Sequence, residues 1–305
     1  MEQMKTNQFT IYGLRFSGGE RCDSWGKSKI INLKSKINKV FELLEYTFFQ
    51  NALLCTILIG VSCGLVGTYI VAKRMVFISG GITHASFGGL GLAYFLGLSP
   101  LLGAAVFALA AAFCILYLSD NKRFKEDSLI GIFWSAGMAI GVLFIYLTPG
   151  YAPNLLSYLF GNILTVTGEQ VILSLLLCLV IIVFFAKFYR PLFYIAFDKE
   201  YSRTHFIALN GLEIGVTALI ALCIVLCMKL AGIILVISYL TMPQAIAGMF
   251  HKNFTKQLVW ATIISCVGSI IGLFASAALK LPSGATIVLC FLLIFLVCYL
   301  WKRKK

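Results

Sequence analysis

The sequence predicts an all-α, polytopic membrane protein with about eight or nine transmembrane helices. The 305 residues are 60% hydrophobic and only 12% charged, and the mean hydropathy is +0.94; a soluble globular chain carries about twice that share of charge. The apolar residues come in runs of about 20, the length that a helix needs to cross the hydrocarbon core. The strand alternation typical of an outer-membrane barrel is absent.

The first 45 residues differ from the rest of the chain. They hold eight Lys or Arg and five Asp or Glu, and no apolar run long enough to cross a bilayer. Residues 40–49 are amphipathic and suited to the membrane interface. We therefore expect two parts: a basic extension over 1–45, cytosolic or interfacial, and a transmembrane domain over 46–305.

Nine runs in the second part are candidate spans, and helix is the only fold for them because every backbone polar group in lipid must be satisfied within its own segment. They are 50–72, 76–97, 101–119, 129–148, 169–187, 212–228, 230–249, 257–279 and 284–301. Three pairs of glycines four residues apart lie inside these runs and predict close helix packing. They are Gly60 and Gly64, Gly137 and Gly141, and Gly268 and Gly272.

Every second loop between the runs is basic, which is typical of cytoplasmic loops. The basic segments are Lys73–Arg74, 122–125, 187–203, 252–256 and the C-terminal tail. This alternation places the C-terminus in the cytoplasm, and nine spans then place the basic extension outside, which the same rule disfavours. Either residues 40–49 and the first run form a re-entrant or interfacial entry, or one of the nine runs is not a full span. The apolar outer segment 148–168, with Pro149, Gly150 and Pro153, is too broken for a span, and we expect a short helix packed at the outer mouth.

His84 is the one ionisable residue well inside a run; Glu169, Glu213 and Lys229 fall at the ends of runs. A buried ionisable group in a span is costly and points to function. Neutral imidazole is a common ligand of transition metals, and the alternative is a histidine that hydrogen-bonds a neighbouring helix. From spacing alone both interpretations stay open.

Enzymatic motifs are missing from the sequence. It contains no His-Glu-x-x-His and no P-loop, so an active transporter built on this chain would have to draw on an ion gradient or on a separate ATPase. Nine of the ten cysteines lie in apolar runs, as buried thiols do; Cys223 and Cys227 share a helix face but would make an incomplete metal site. The basic residues form no continuous face, which predicts membrane lipid and not nucleic acid as the surrounding partner.

Five segments, in order, resemble the membrane subunit of bacterial zinc, manganese and iron ABC importers, the metal-transport permease family. They are KRMVFISGGITHA at 73–85, LFGNILTVT at 159–167, FDKEYSR at 197–203 with Gly211 after it, GIILV to PQAIA at 232–247, and LPSGATIV at 281–288. The resemblance covers about residues 48–300 and leaves the extension outside. It implies a type II ABC importer-like permease in the bacterial cytoplasmic membrane that moves a divalent metal ion and holds no permanent cofactor.

The resemblance also implies partners: ABC ATPase subunits, an extracytoplasmic metal-binding protein and a second permease copy. The turn after Pro243 is similar to the family's coupling helix, which rests on the ATPase. Its predicted coupling residues are Pro243, Gln244, Ala245, Ile246 and Ala247.

The metal site departs from the family pattern at one position. Where the family often has Asp four residues before the histidine, this chain has Gly80. His84 therefore remains as the predicted metal ligand. Either oxygens from Ser79, Thr83, Ser86 or the backbone complete the pathway, or the ion passes with weaker coordination.

Three other functions remain open at this point. A permease for a metal chelate such as haem or a siderophore has the same architecture, although such chains are usually longer. A secondary transporter driven by ion gradients is expected to have inverted repeats and mid-membrane carboxylates, and neither is clear here. A polytopic membrane enzyme is least favoured because the catalytic motifs are missing.

Overall fold

The computed structural model describes residues 43–120, 125–149, 161, 163–198, 201–202, 204 and 209–304. Over these residues the structure is helical, with short 3-10 helices at Leu43–Glu45 and Ile163–Thr165. The α-helices are α1 Thr47–Ala72, α2 Val76–Phe95, α3 Pro100–Asp120, α4 Glu126–Leu147, α5 Gly168–Lys187, α6 Tyr189–Phe197, α7 Leu209–Ala231, α8 Ile233–Phe250, α9 Phe254–Leu279 and α10 Ser283–Arg303.

Nine of these helices are long and apolar enough to cross a membrane within the described part of the chain, and they match the nine predicted spans. The ends differ by a few residues, and polar side chains fix the start of two of the helices. Asn253 begins α9 by accepting a hydrogen bond from the Thr255 backbone N–H at 2.9 Å. The Gln170 side chain accepts one from the Thr167 backbone N–H at 3.2 Å at the start of α5.

Helices α1, α2 and α7 form the buried centre, whereas α3, α4, α5 and α10 expose most of their apolar surface, as lipid-facing helices do. Helix α2 packs between α3 and α4, and α1 packs against α9. Glycine permits these approaches: a Cβ placed on Gly88 would lie 2.9 Å from the Gly137 carbonyl oxygen, and one on Gly64 2.6 Å from the Thr262 Cα. The packing role predicted for the glycine pairs is confirmed.

Helix α6 is an element that the sequence interpretation treated as part of a basic loop. Its nine residues are too few to span a membrane. Phe193 and Phe197 place their rings 5.5 and 5.8 Å from the ring of Phe254, and the Tyr189 hydroxyl lies 2.7 Å from that of Thr255. Helix α6 is therefore fastened to the first turn of α9 by aromatic packing.

At the opposite end of the bundle, Gly232 alone separates α7 from α8 and has a φ of 87°, which favours glycine. Gly161, with φ of 59°, lies against this turn: a Cβ there would come within 2.2 Å of the Ala231 carbonyl carbon. The backbone N–H of Ile163 donates to the Ser283 hydroxyl at 3.3 Å. The predicted short helix within 148–168 falls largely on residues outside those described, as does the extension up to residue 42.

Candidate functional site

His84 lies in the middle of α2, half-buried, against α4. Its imidazole stacks on the indole of Trp134, with ring centroids 4.2 Å apart and planes 17° from parallel. Nδ1 of His84 is buried and has no hydrogen-bond partner.

The predicted oxygen ligands lie on another face of α2. Ser79, Thr83 and Ser86 follow one another at i, i+4 and i+7, so they share a helix face, and all three are fully buried. Their hydroxyls donate to α2 carbonyls, at 2.7 Å to Val76, 2.5 Å to Ser79 and 2.6 Å to Thr83 respectively. The structure thus brings these three hydroxyls together but not around the imidazole of His84.

This second face of α2 packs against α7. The Ser86 hydroxyl also contacts the thioether sulfur of Met228 at 3.2 Å. Across the described ranges, no group of three His, Cys, Asp or Glu side chains is placed to hold a metal ion. Within the described residues, His84 therefore belongs to no such group.

Gly80, where the sequence departs from the family pattern, faces Trp134. A Cβ built on Gly80 would lie 2.5 Å from Cζ3 of Trp134, closer than real Cβ contacts. An aspartate at this position would require the indole to shift. Trp134 was not predicted as a site residue, because nothing in a single sequence pairs residue 134 with residue 80 or 84. The one available signal was a tryptophan inside a predicted span of a chain that has an isolated histidine in another span.

The predicted coupling segment forms the last two turns of α8 rather than a separate helix. Ala245 is exposed, whereas the other four predicted coupling residues are buried. Beyond them, Gly248 and Phe250 are exposed on the same end of the helix. The surface that α8 offers to a partner from this segment is therefore narrower than the sequence suggested.

Gln244 has a structural role in this segment. Pro243 has no N–H, so the carbonyl of Tyr239 loses its usual helical donor. The Gln244 side-chain amide donates to that carbonyl at 3.1 Å and also to the Cys63 carbonyl of α1 at 3.0 Å. Gly67 leaves room for the amide, because a Cβ there would lie 2.3 Å from Nε2.

Two further ionisable residues meet near the start of α7. The Lys73 ammonium lies 3.8 Å from Oε1 of Glu213, whose side chain is buried. Glu213 also lines a cavity of about 490 Å³ with Asn210 and aromatic residues of α3. By the loop charges this is the cytoplasmic end of the bundle, so the pair ties the inner ends of α1 and α7 together.

Comparison with known proteins identifies the family. The sequence pattern of the ABC 3 transport family matches residues 45–302, most of the chain. The chain belongs to the ABC 3 transport family. It is a multi-pass protein of the bacterial cytoplasmic membrane, and the predicted all-α ABC permease fold is confirmed.

Similar proteins extend over nearly the whole transmembrane domain. An uncharacterized membrane protein of Synechocystis is 39% identical over 88% of this chain and 95% of its own length. The manganese transport system membrane protein MntC of Listeria monocytogenes is 31% identical over 86% of this chain and 94% of its own. The manganese import system permease protein ScaB of Streptococcus gordonii is 30% identical with the same coverages.

Two solved structures share the fold. PsaBC from Streptococcus pneumoniae, solved with a Fab, superposes with a TM-score of 0.76 at 29% identity and covers 86% of this chain and 95% of its own. An inward-facing putative metal-chelate type ABC transporter gives a TM-score of 0.70 at 16% identity, over 85% and 87% of the two chains. The second likeness concerns the fold alone.

Proposed function

We propose that the chain is the membrane-spanning subunit of an ATP-driven importer for a divalent transition metal ion. Two of the similar proteins are named manganese permeases, and both cover most of this chain. The single observation that carries the proposal is His84, an imidazole in the centre of the most buried helix of the bundle. An ionisable group within a span is energetically costly, and its presence there therefore points to a function.

ATP hydrolysis belongs to a partner in this proposal, since the sequence holds no P-loop. The exposed residues Ala245, Gly248 and Phe250 at the inner end of α8 are the contact that we assign to the ATPase. The C-terminal helix reaches the same place, because the Lys302 ammonium donates to the Met249 carbonyl at 2.5 Å. This bond satisfies a carbonyl in the last turn of α8 and holds the contact surface in position.

A second copy of the permease completes the site in this proposal. One imidazole is a poor ion site, and a twofold axis beside α2 would bring two copies of His84 to one ion. Binding through two imidazoles is weak compared with a closed structural site, which suits conduction, because the ion must also leave. An extracytoplasmic metal-binding protein would deliver the ion to the outer ends of the helices.

Uptake by the reconstituted complex tests this function. The permease, co-expressed with its ATPase and reconstituted into vesicles, should accumulate metal only when ATP is available to the ATPase and the loaded binding protein is present. Vesicles with the permease alone should accumulate none. Accumulation without ATP that follows an ion gradient would instead indicate a secondary transporter, and uptake of haem or a siderophore in place of free metal would indicate a chelate permease.

A further inference from the structure

The stacked pair of His84 and Trp134 differs from the usual support of a metal-binding histidine. In most metal sites the second ring nitrogen donates to a carboxylate or a carbonyl, which fixes the ring orientation. Here Nδ1 of His84 is enclosed and has no such partner. The face of the ring is instead held by the indole, at 4.2 Å and 17°.

The same indole closes the place from which a carboxylate would reach the ion. Position 80 is one helical turn before His84 on α2, so an acidic side chain there would share the face of the imidazole. The space beyond the Gly80 Cα is filled by the six-membered ring of Trp134, whose Cζ3 and Cη2 would lie 2.5 and 3.2 Å from a Cβ. An aspartate at position 80 would therefore displace the indole of Trp134 from its place on His84.

We propose that Trp134 is a positioning and specificity-determining residue of the transport site, which orients His84 and selects ions that prefer nitrogen ligands, of the zinc type, over manganese. Imidazole suits zinc, copper, iron and nickel, whereas manganese prefers carboxylate, carbonyl and water oxygens. The hydroxyls that could supply oxygen, those of Ser79, Thr83 and Ser86, are bound to the backbone on a different face. This inference rests on the proposed function and adds the ion class to it.

The stack also favours the metal-bound state of the ring. An imidazole that gives its electron pair to a cation becomes electron-poor, and an electron-poor ring is attracted to the negative face of an indole. Trp134 therefore supports His84 most strongly when the ion is present. A leucine of similar bulk at this position would fill space but would offer no such face.

The test measures uptake of zinc and manganese ions, singly and in competition, by vesicles that contain the complete complex. We expect the wild-type complex to prefer zinc. Trp134→Leu should lower the efficiency of zinc uptake by about 10-fold or more, as loss of a ligand-orienting group does in other sites, while Trp134→Phe retains most of it. Phe144→Leu, an aromatic loss further along α4, is the matched control and should leave the zinc-to-manganese ratio unchanged.

The decisive variant exchanges the pair. Gly80→Asp alone should lose uptake because the new side chain meets the indole, whereas Gly80→Asp with Trp134→Ala should regain uptake and move the zinc-to-manganese ratio at least 10-fold towards manganese. A wild-type preference for manganese overturns the proposal. So does an unchanged ratio in an assembled double variant, or equal zinc uptake by Trp134→Leu and the wild type. Failure of the wild-type complex to move any metal ion would contradict the proposed function itself.

Discussion

The side-chain amide of Gln244 donates to the backbone carbonyl of Tyr239, the acceptor that Pro243 leaves without a helical donor. The same amide donates to the Cys63 carbonyl, so one side chain repairs α8 and joins it to α1. A proline can therefore lie inside a buried membrane helix without an unsatisfied carbonyl.

Replacing Gln244 with Leu should destabilise the permease because two buried carbonyls lose their donor. Each lost bond costs on the order of 1 kcal/mol, so we expect a lower melting temperature of the purified complex in detergent. The double variant with Pro243→Ala is the control. Alanine restores the backbone N–H to Tyr239, so the cost of Gln244→Leu should be smaller in that background. An equal cost in both backgrounds would show that the Tyr239 bond contributes nothing.

Replacing Gly89 with Ala should disrupt the contact between α2 and α3. A Cβ on Gly89 would lie 2.1 Å from the Gly103 carbonyl oxygen, and backbone on both sides cannot yield cheaply. Overpacking of this kind costs about 1–3 kcal/mol or more. Gly131→Ala is the matched control, because no atom lies within 4 Å of a Cβ there and alanine favours helix. The Gly89→Ala and Gly131→Ala variants are compared by their yield of folded protein and by their melting temperatures.

The spans could be predicted from the sequence because a bilayer imposes one length and one secondary structure on every apolar run. Packing partners follow less directly. The glycines of α2 indicate that another helix packs closely against them. Only the fold shows that the contacted residues include Gly103 of α3 and Gly137 of α4. Helix α6 was missed because its signal is aromatic packing on Phe254, and a contact between distant residues leaves no local pattern.

The candidate site was predicted in part for the same reason. His84 was found because an ionisable residue within an apolar run is conspicuous in any sequence. Trp134 was not found, because tryptophan is ordinary in a span and its meaning comes from its distance to His84. The sequence predicts that Gln244 and Ala247 lie in the coupling segment, but it does not predict whether their side chains are exposed. The fold shows that both are buried.

Removing the charge of Lys73 should destabilise the inner ends of α1 and α7. Glu213 is buried, and the Lys73 ammonium lies 3.8 Å away; removing this cation takes away an attraction that offsets part of the cost of burying the carboxylate. We expect Lys73→Met to lower the melting temperature and Glu213→Gln to recover part of the loss in the double variant. A double variant that is no more stable than Lys73→Met would mean that the pair is not coupled.

Ala245 and Ala247 should respond differently to arginine. Ala245 is exposed, so Ala245→Arg should leave the permease folded while it separates the ATPase, measured by co-purification. Ala247 is 1% exposed, and an arginine there should prevent folding instead. Leu281→Arg, at an exposed position of the outer loop, is the control and should retain the ATPase. Undiminished co-purification with Ala245→Arg would place the coupling contact elsewhere on the inner surface.

Replacing His84 with Ala should abolish metal uptake without loss of the assembled complex, because the imidazole is the only side chain of its kind in the centre of the bundle described here. The hydroxyl variants provide the contrast. Ser79→Ala and Thr83→Val remove groups that donate to the backbone of α2 itself, and such bonds slightly destabilise or bend helices rather than hold ligands. We expect these variants to retain uptake within about 3-fold, since a change that leaves the ligand in place alters its barrier by less than about 1 kcal/mol. Uptake by His84→Ala at the wild-type rate would remove the imidazole from the pathway, and loss of uptake in both hydroxyl variants would move the pathway to the face of α2 that meets Met228.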